Sequence, residues 1–223
     1  MLVSREADEN GGRIDFEDGM SYAPRATLLL LVSMSIVFVW EVATLAFTSR
    51  ERIIAAGALV RANVLDGELW RIGSATFLHG GPDHLIGNCI SLYILGMACE
   101  HAVGSRRLLT VFAAGAIGGW TLSLLNHTGP SVGASGAIFG IMGAVLVILY
   151  QRRDVFVIRD KRIGVVIAAW AAYTLGVGML QPMIDNWAHF GGLLAGSAAA
   201  VGVPLREHFP RLQRLRVGPR RVR

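Results

Sequence analysis

Charge in this 223-residue sequence is segregated into a few short blocks, and between the blocks run stretches of 17 to 22 residues with almost no Asp, Glu, Lys or Arg. A soluble helix needs a polar face, and none of these stretches has one. The hydrocarbon core of a bilayer is about 30 Å thick and takes about 20 apolar residues to cross as a helix. Six such segments are predicted: Ala26 to Phe47, His84 to Val103, Leu108 to Leu125, Gly133 to Tyr150, Gly164 to Leu180 and Trp187 to Val203. The last four carry no charged residue at all. The expected fold class is therefore all-α, a polytopic six-helix bundle with a long loop, Thr48 to Asp83, between the first and second helices. Composition agrees, with 53% hydrophobic and 17% charged residues against about 25% charged in a soluble domain. Disorder and a collagen repeat are excluded by the same figures. The two cysteines, Cys89 and Cys99, fall ten positions apart on one predicted helix, ~15 Å along its axis, and cannot bond to each other.

Basic residues accumulate on the cytoplasmic side of membrane proteins. With the N-terminus inside, seventeen of the 21 basic residues fall in inner loops and tails. The outside keeps Arg50, Arg52, Arg61 and Arg71, all in the one long loop. Both termini are thus expected to be cytoplasmic, and residues 1–25 show no cleavable signal peptide. The domain division is a polar tail, 1–25, a membrane domain, 26–203, and a basic tail, 204–223. The tail sequence RLQRLRVGPRRVR suits anionic lipid beside the bilayer better than nucleic acid.

Polar side chains inside apolar spans carry the functional information. His84 and Asn88 stand at i and i+4 where the second segment begins. Ser135 lies about one turn into the fourth segment, within GASGAIFG, and His189 at a similar depth in the sixth, within NWAHFGGLLAG. With this topology all three segments enter from the outer side, so the four side chains lie within ~5 to 10 Å of one membrane face. A serine hydroxyl becomes a useful nucleophile when a base takes its proton, and Ser135 with His189 supplies that pair. Attack on a carbonyl develops an oxyanion, for which His84, Asn88 and the backbone N–H of Ser135 are candidate donors. Gly133 and Gly136 leave the surface beside Ser135 open. Phe139, four residues on, shares its face and is placed to stack on His189. Asp185, one turn before His189, is a conceivable third member, although it is expected at the water interface. A Gly-x-Ser-Gly match alone is weak, and serine and glycine are ordinary packing residues in membrane helices. Four polar positions on one membrane face outweigh that simpler account.

These residues resemble the rhomboid family of intramembrane serine proteases, in its bacterial six-helix form. The pattern runs through Trp70-Arg71, His84-x-x-x-Asn88, Gly133-Ala134-Ser135-Gly136 and Ala188-His189-x-x-Gly192-x-x-x-Gly196, covering roughly Leu69 to Ala200. The resemblance implies a Ser135–His189 dyad, with His84 and Asn88 helping to form the oxyanion hole. It implies close packing of segments four and six through Gly192 and Gly196, with substrates that are single-pass membrane proteins cut in or beside the membrane helix. No metal or organic cofactor belongs to the family's chemistry. The long loop is expected to form a partly embedded helical hairpin anchored by Trp70 and Arg71. Phe139 departs from the tyrosine of many relatives, so stacking is kept and any hydroxyl contact is lost.

Two acids remain inside the spans. Glu100, near the inner end of segment two, is expected to pair with Arg106 or Arg107. Glu41 is expected to face the interior, as a hydrogen-bond acceptor or a proton-uptake site. The function implied is an intramembrane serine endopeptidase of a bacterial inner membrane, with its site open to the outer face and the fifth segment and the Leu180 to Asn186 loop as a gate. The alternatives are a catalytically inactive rhomboid-like protein that binds membrane helices, which would ordinarily lack the serine, the histidine or the flanking glycines, and a small transporter. A transporter needs a polar path through the inner half of the bilayer, and segments four to six offer none.

Overall fold

The computed structural model describes residues 14–15, 23–151, 156–157, 167, 169–174, 176 and 184–204. Helix α1, Arg25–Thr44, is followed by a 3-10 turn at Ala46–Thr48 and three short helices, α2 (Arg50–Ala56), α3 (Arg61–Leu65) and α4 (Arg71–Phe77). Then come α5 (Pro82–Val103), α6 (Ser105–Asn126), α7 (Ser135–Gln151) and α8 (Asn186–Ala200). Among the described residues α1, α5 and α6 are long and apolar enough to cross a membrane, and α7 is a shorter apolar helix. Of the fifth apolar segment, residues 167, 169–174 and 176 are helical, and the remainder lies outside the described residues, as does most of the expected gate. A two-residue parallel pairing of β1 (Ile14–Asp15) with β2 (Phe156–Val157) joins two stretches that the charge pattern assigns to the same side.

Local chemistry sets the helix ends. Pro82 occupies the first turn of α5, where a missing N–H is harmless, and Asp83 adds negative charge there. At the other end Gly104, at φ 86°, turns the chain directly into α6. Ser49 caps α2 by accepting from the N–H of Arg52.

Helix α7 is the centre of the bundle, with every residue from Gly136 to Val145 buried. It meets α6 and α8 along backbone rather than side chains. A methyl group on Gly192 would overlap the carbonyl of Gly136, and one on Gly196 would overlap Gly140. The α6 contact is similar, with a Cβ at Gly115 only 3.0 Å from the Cα of Gly140. Lipid gives helices no hydrophobic reason to associate, so close backbone packing of this kind carries the association. On the outer flank α1 packs Ala26, Leu30 and Met34 against α5, which contributes Leu92, Leu95 and Cys99. The opposite face of α1 exposes Leu29, Ile36 and Val39 by 60% or more, a surface that suits hydrocarbon and not water.

Two buried carboxylates tie the ends of α1 to its surroundings. Glu100 in the last turn of α5 accepts from the N–H groups of Ala26 and Thr27, both at 2.9 Å, from Thr27 Oγ1 at 2.8 Å and from Ser105 Oγ at 2.6 Å. The expected pairing with Arg106 or Arg107 is therefore replaced. The orphan donors at the start of α1 are nearer and need an acceptor, while Arg107 donates to the carbonyl of Val103. Glu41, one turn from the end of α1, is fully buried and accepts from the backbone N–H of His79 at 2.9 and 3.1 Å.

The long loop is built from the short helices and held by Arg71. Its guanidinium is buried, donates to the carbonyls of Ile54 at 2.7 Å and Ala58 at 2.9 Å, bonds Glu68, and lies 4.7 Å from the centre of the Trp70 ring. The loop is joined to the stretch preceding α7 by mutual Leu59–Ser131 backbone bonds of 2.9 Å and by the N–H of Gly133 donating to Ala75 at 2.8 Å.

Candidate active site

Helices α5, α7 and α8 all begin at one end of the bundle, and their first two turns hold the polar residues singled out in the sequence. Ser135 is the first residue of α7 and His189 lies in the first turn of α8. The hydroxyl of Ser135 stands 2.8 Å from Nε2 of His189, hydrogen-bond distance for a donating serine. For Nε2 to accept, the neutral ring carries its proton on Nδ1, and that nitrogen has no partner among the described residues. The ring is oriented by Phe139, whose face lies parallel to it with centroids 4.5 Å apart and planes at 12°.

Gly133 locates the other two polar groups. At φ 119° it adopts a backbone that glycine favours, and a Cβ placed on it would lie 2.6 Å from His84 Cε1, 2.7 Å from His84 Nε2 and 3.4 Å from Asn88 Nδ2. Both side-chain nitrogens thus converge on the backbone two residues before the serine. The N–H of Gly80 points to Nδ1 of His84 at 3.4 Å; for Nδ1 to accept, the neutral ring carries its proton on Nε2, the nitrogen near Gly133. Asn88 is buried, and its amide nitrogen has no acceptor among the described residues. The first i to i−4 bond of α7 runs from Ile138 to Ala134, so the N–H of Ser135 lies ahead of the intrahelical ladder. Two side-chain nitrogens therefore lie beside Gly133, and the N–H of Ser135 follows two residues on, next to its own half-buried hydroxyl.

Gly136 is buried against Ala188, whose carbonyl would be 3.1 Å from an added Cβ. With Gly192 and Gly196 it lets the α7 and α8 backbones approach closely enough for the 2.8 Å contact. No hydrogen bond joins Asp185 to the imidazole. Its carboxylate accepts from Ala188 N–H at 3.1 Å, from Ser131 Oγ at 2.6 Å and from Ser123 Oγ. An Asp directly before an apolar helix is a cap signal, and here its side chain serves as that cap. His79 is a neighbour of the site that carries no signal in the sequence pattern. Fully buried, with Nδ1 3.1 Å from the carbonyl of Phe77, it sets its ring edge-on to His84 at 5.2 Å. Burial, with a smaller contribution from His84, lowers its pKa to about 4. Among the described residues no three His, Cys, Asp or Glu side chains are grouped to hold a metal ion.

A helical bundle with apolar spans and an apolar outer face, carrying a serine and a histidine in contact at one end, defines the class: an integral membrane protein. Residues 66–205, more than half of the chain, match the Rhomboid domain family. The chain is 36% identical over 206 residues to the rhomboid protease GluP of Bacillus subtilis (strain 168), covering 92% of this chain and 39% of that protein. It is 41% identical over 143 residues to RHOMBOID-like protein 5 of Arabidopsis thaliana, covering 63% of this chain and 46% of that one. With the rhomboid protease AarA of Providencia stuartii it shares 31% identity over 212 residues, covering 84% and 75%. The chain belongs to the rhomboid family, and it spans less than half the length of the first two of these relatives.

Proposed function

We propose that the chain is an intramembrane serine endopeptidase that cleaves single-pass membrane proteins in or beside their transmembrane helix. The observation that carries the reading is the 2.8 Å contact between Ser135 Oγ and His189 Nε2, at the end of the bundle where His84 and Asn88 approach Gly133. Ser135 attacks the scissile carbonyl while His189 takes its proton, and the oxyanion is received by Asn88, His84 and the N–H of Ser135. The imidazolium protonates the leaving amine and the C–N bond breaks. Water then adds to the acyl-enzyme, giving a proton to His189, and Ser135 leaves with that proton returned. Gly133, Gly136, Gly192 and Gly196 provide the close approach, and Phe139 holds the base; no step calls for a cofactor.

Around this chemistry we place a membrane domain of six spanning helices over 26–203, between tails at 1–25 and 204–223. Both termini face the cytoplasm of a bacterial inner membrane, and the long loop and the site face the outer side. Seventeen of 21 basic residues support that orientation. Alkaline-phosphatase fusions after Arg162 should be inactive, and active ones would reverse the topology.

The test is cleavage of a fluorescently labelled single-span helix, with Ala and Gly at its outer end, in liposomes containing the purified protein. Ser135→Ala and His189→Ala should each abolish the cut. Cleavage that survives both substitutions would remove the dyad.

A further inference from the structure

We propose that Asp185 is the positioning residue that sets the separation of Ser135 and His189, through the backbone and not through the imidazole. Ser131, which its carboxylate holds at 2.6 Å, precedes Ser135 by four residues, and Asp185 precedes His189 by four. One carboxylate thus grips the two arms of the site at equal chain distance from the reacting atoms. Its other oxygen caps α8 through Ala188, and the hydroxyl of Ser123, in the last turn of α6, fixes the pair to a third helix. The arm carrying Ser131 and Gly133 is already bonded to Leu59 and Ala75 of the long loop. His189 has no acid on Nδ1 among the described residues, so the ring is held by Phe139, by Ser135 and by the placement of its own backbone. Asp185 governs the last of these.

The inference rests on the proteolytic reading for its kinetic consequence, and its chemistry separates it from a triad. An aspartate that stabilises an imidazolium acts by charge, and asparagine cannot replace it. A clamp acts by accepting and donating hydrogen bonds at fixed positions, and asparagine is a good helix cap that keeps one acceptor oxygen and gains a donor for a serine hydroxyl. A loosened clamp misplaces the nucleophile and base by a fraction of an ångström, which lowers turnover without weakening substrate binding.

The experiment compares wild type, Asp185→Ala, Asp185→Asn, Ser131→Ala and Ser135→Ala in liposomes with the labelled single-span helix, alongside hydrogen exchange of the same proteins. Asp185→Ala should lower kcat by about tenfold or more at unchanged KM, and Asp185→Asn should recover most of that loss. Peptides covering 127–134 and 185–190 should exchange faster in Asp185→Ala than in Asp185→Asn or wild type. If Asp185→Ala does not fold, Ser131→Ala carries the test, with kcat expected to fall about threefold or more at constant KM. The inference is overturned by an Asp185→Asn variant as slow as Asp185→Ala, by a rise in KM in place of the loss in kcat, or by exchange unaltered in both segments. Wild-type protein with no Ser135-dependent cleavage would overturn the proteolytic reading alone, because the exchange comparison is still read.

Discussion

The ring of Phe139 lies parallel to the imidazole of His189, with centroids 4.5 Å apart and planes at 12°. Phe139 follows Ser135 by one turn in α7 and His189 lies in the first turn of α8, so the stack is a direct product of helix periodicity and glycine packing. With no partner on Nδ1 among the described residues, removing the phenyl ring frees the imidazole to rotate.

Phe139→Ala should therefore lower kcat about tenfold or more, with a smaller change in KM. Phe139→Tyr keeps the stacked plane and should stay near wild type. Cleavage rates of the labelled helix by the two variants check this, and equal losses in both would detach the ring from the base's orientation.

Gly133 and Asn88 form a second testable pair. A side chain at Gly133 would strain a backbone at φ 119° and occupy the position of the His84 ring. Gly133→Ala should consequently abolish turnover through displacement of His84. Asn88→Ala removes a donor and leaves the backbone alone, so kcat should fall by about 10²- to 10³-fold with little change in KM. Steady-state kinetics separate the two parameters, and an Asn88→Ala loss confined to KM would take Asn88 out of transition-state stabilisation.

The spacing of these residues was legible in the sequence because a bilayer makes polar residues scarce and so conspicuous. Helix starts were less legible. The apolar pattern places Ser135 a turn into its helix, yet it is the first residue, because Gly133 and Ala134 read as apolar while Gly133 takes a non-helical φ. Pairwise partners were legible least. Charge alone pairs Glu100 with an arginine, whereas three of its four donors come from 73 and 74 residues away. Asp185 carried a local cap signal in its sequence, but its bonds to Ser123 and Ser131 depend on how α6, α7 and α8 assemble. No periodicity marks His79, whose burial follows from the path of the long loop.

The Glu100 contacts make a stability prediction. Four donors converge on its carboxylate, two of them backbone N–H groups at the start of α1 that have no intrahelical acceptor. Glu100→Ala leaves them unsatisfied in a buried place and should destabilise the protein by on the order of 3 kcal/mol. Arg107→Ala should have little effect, since Arg107 bonds the Val103 carbonyl instead. Unfolding in mild detergent measures both, and equal midpoints for wild type and Glu100→Ala would show that α1 is capped by other means.

His79 links stability to pH. Its ring is fully buried beside His84, and burial lowers its pKa from the ordinary 6.5 to about 4. The unfolded chain then takes up the proton first as pH falls, so the stability present above about pH 6.5 is progressively lost toward pH 4. The accumulated loss at the acid end is on the order of 3 kcal/mol, and protonation would also bring a positive charge against the His84 ring, 5.2 Å away. In His79→Gln the titrating group is gone while the backbone N–H that Glu41 accepts remains, so the difference between the unfolding midpoints at pH 7 and pH 4.5 should shrink. Wild type and variant with the same pH dependence would assign the acid sensitivity to other groups.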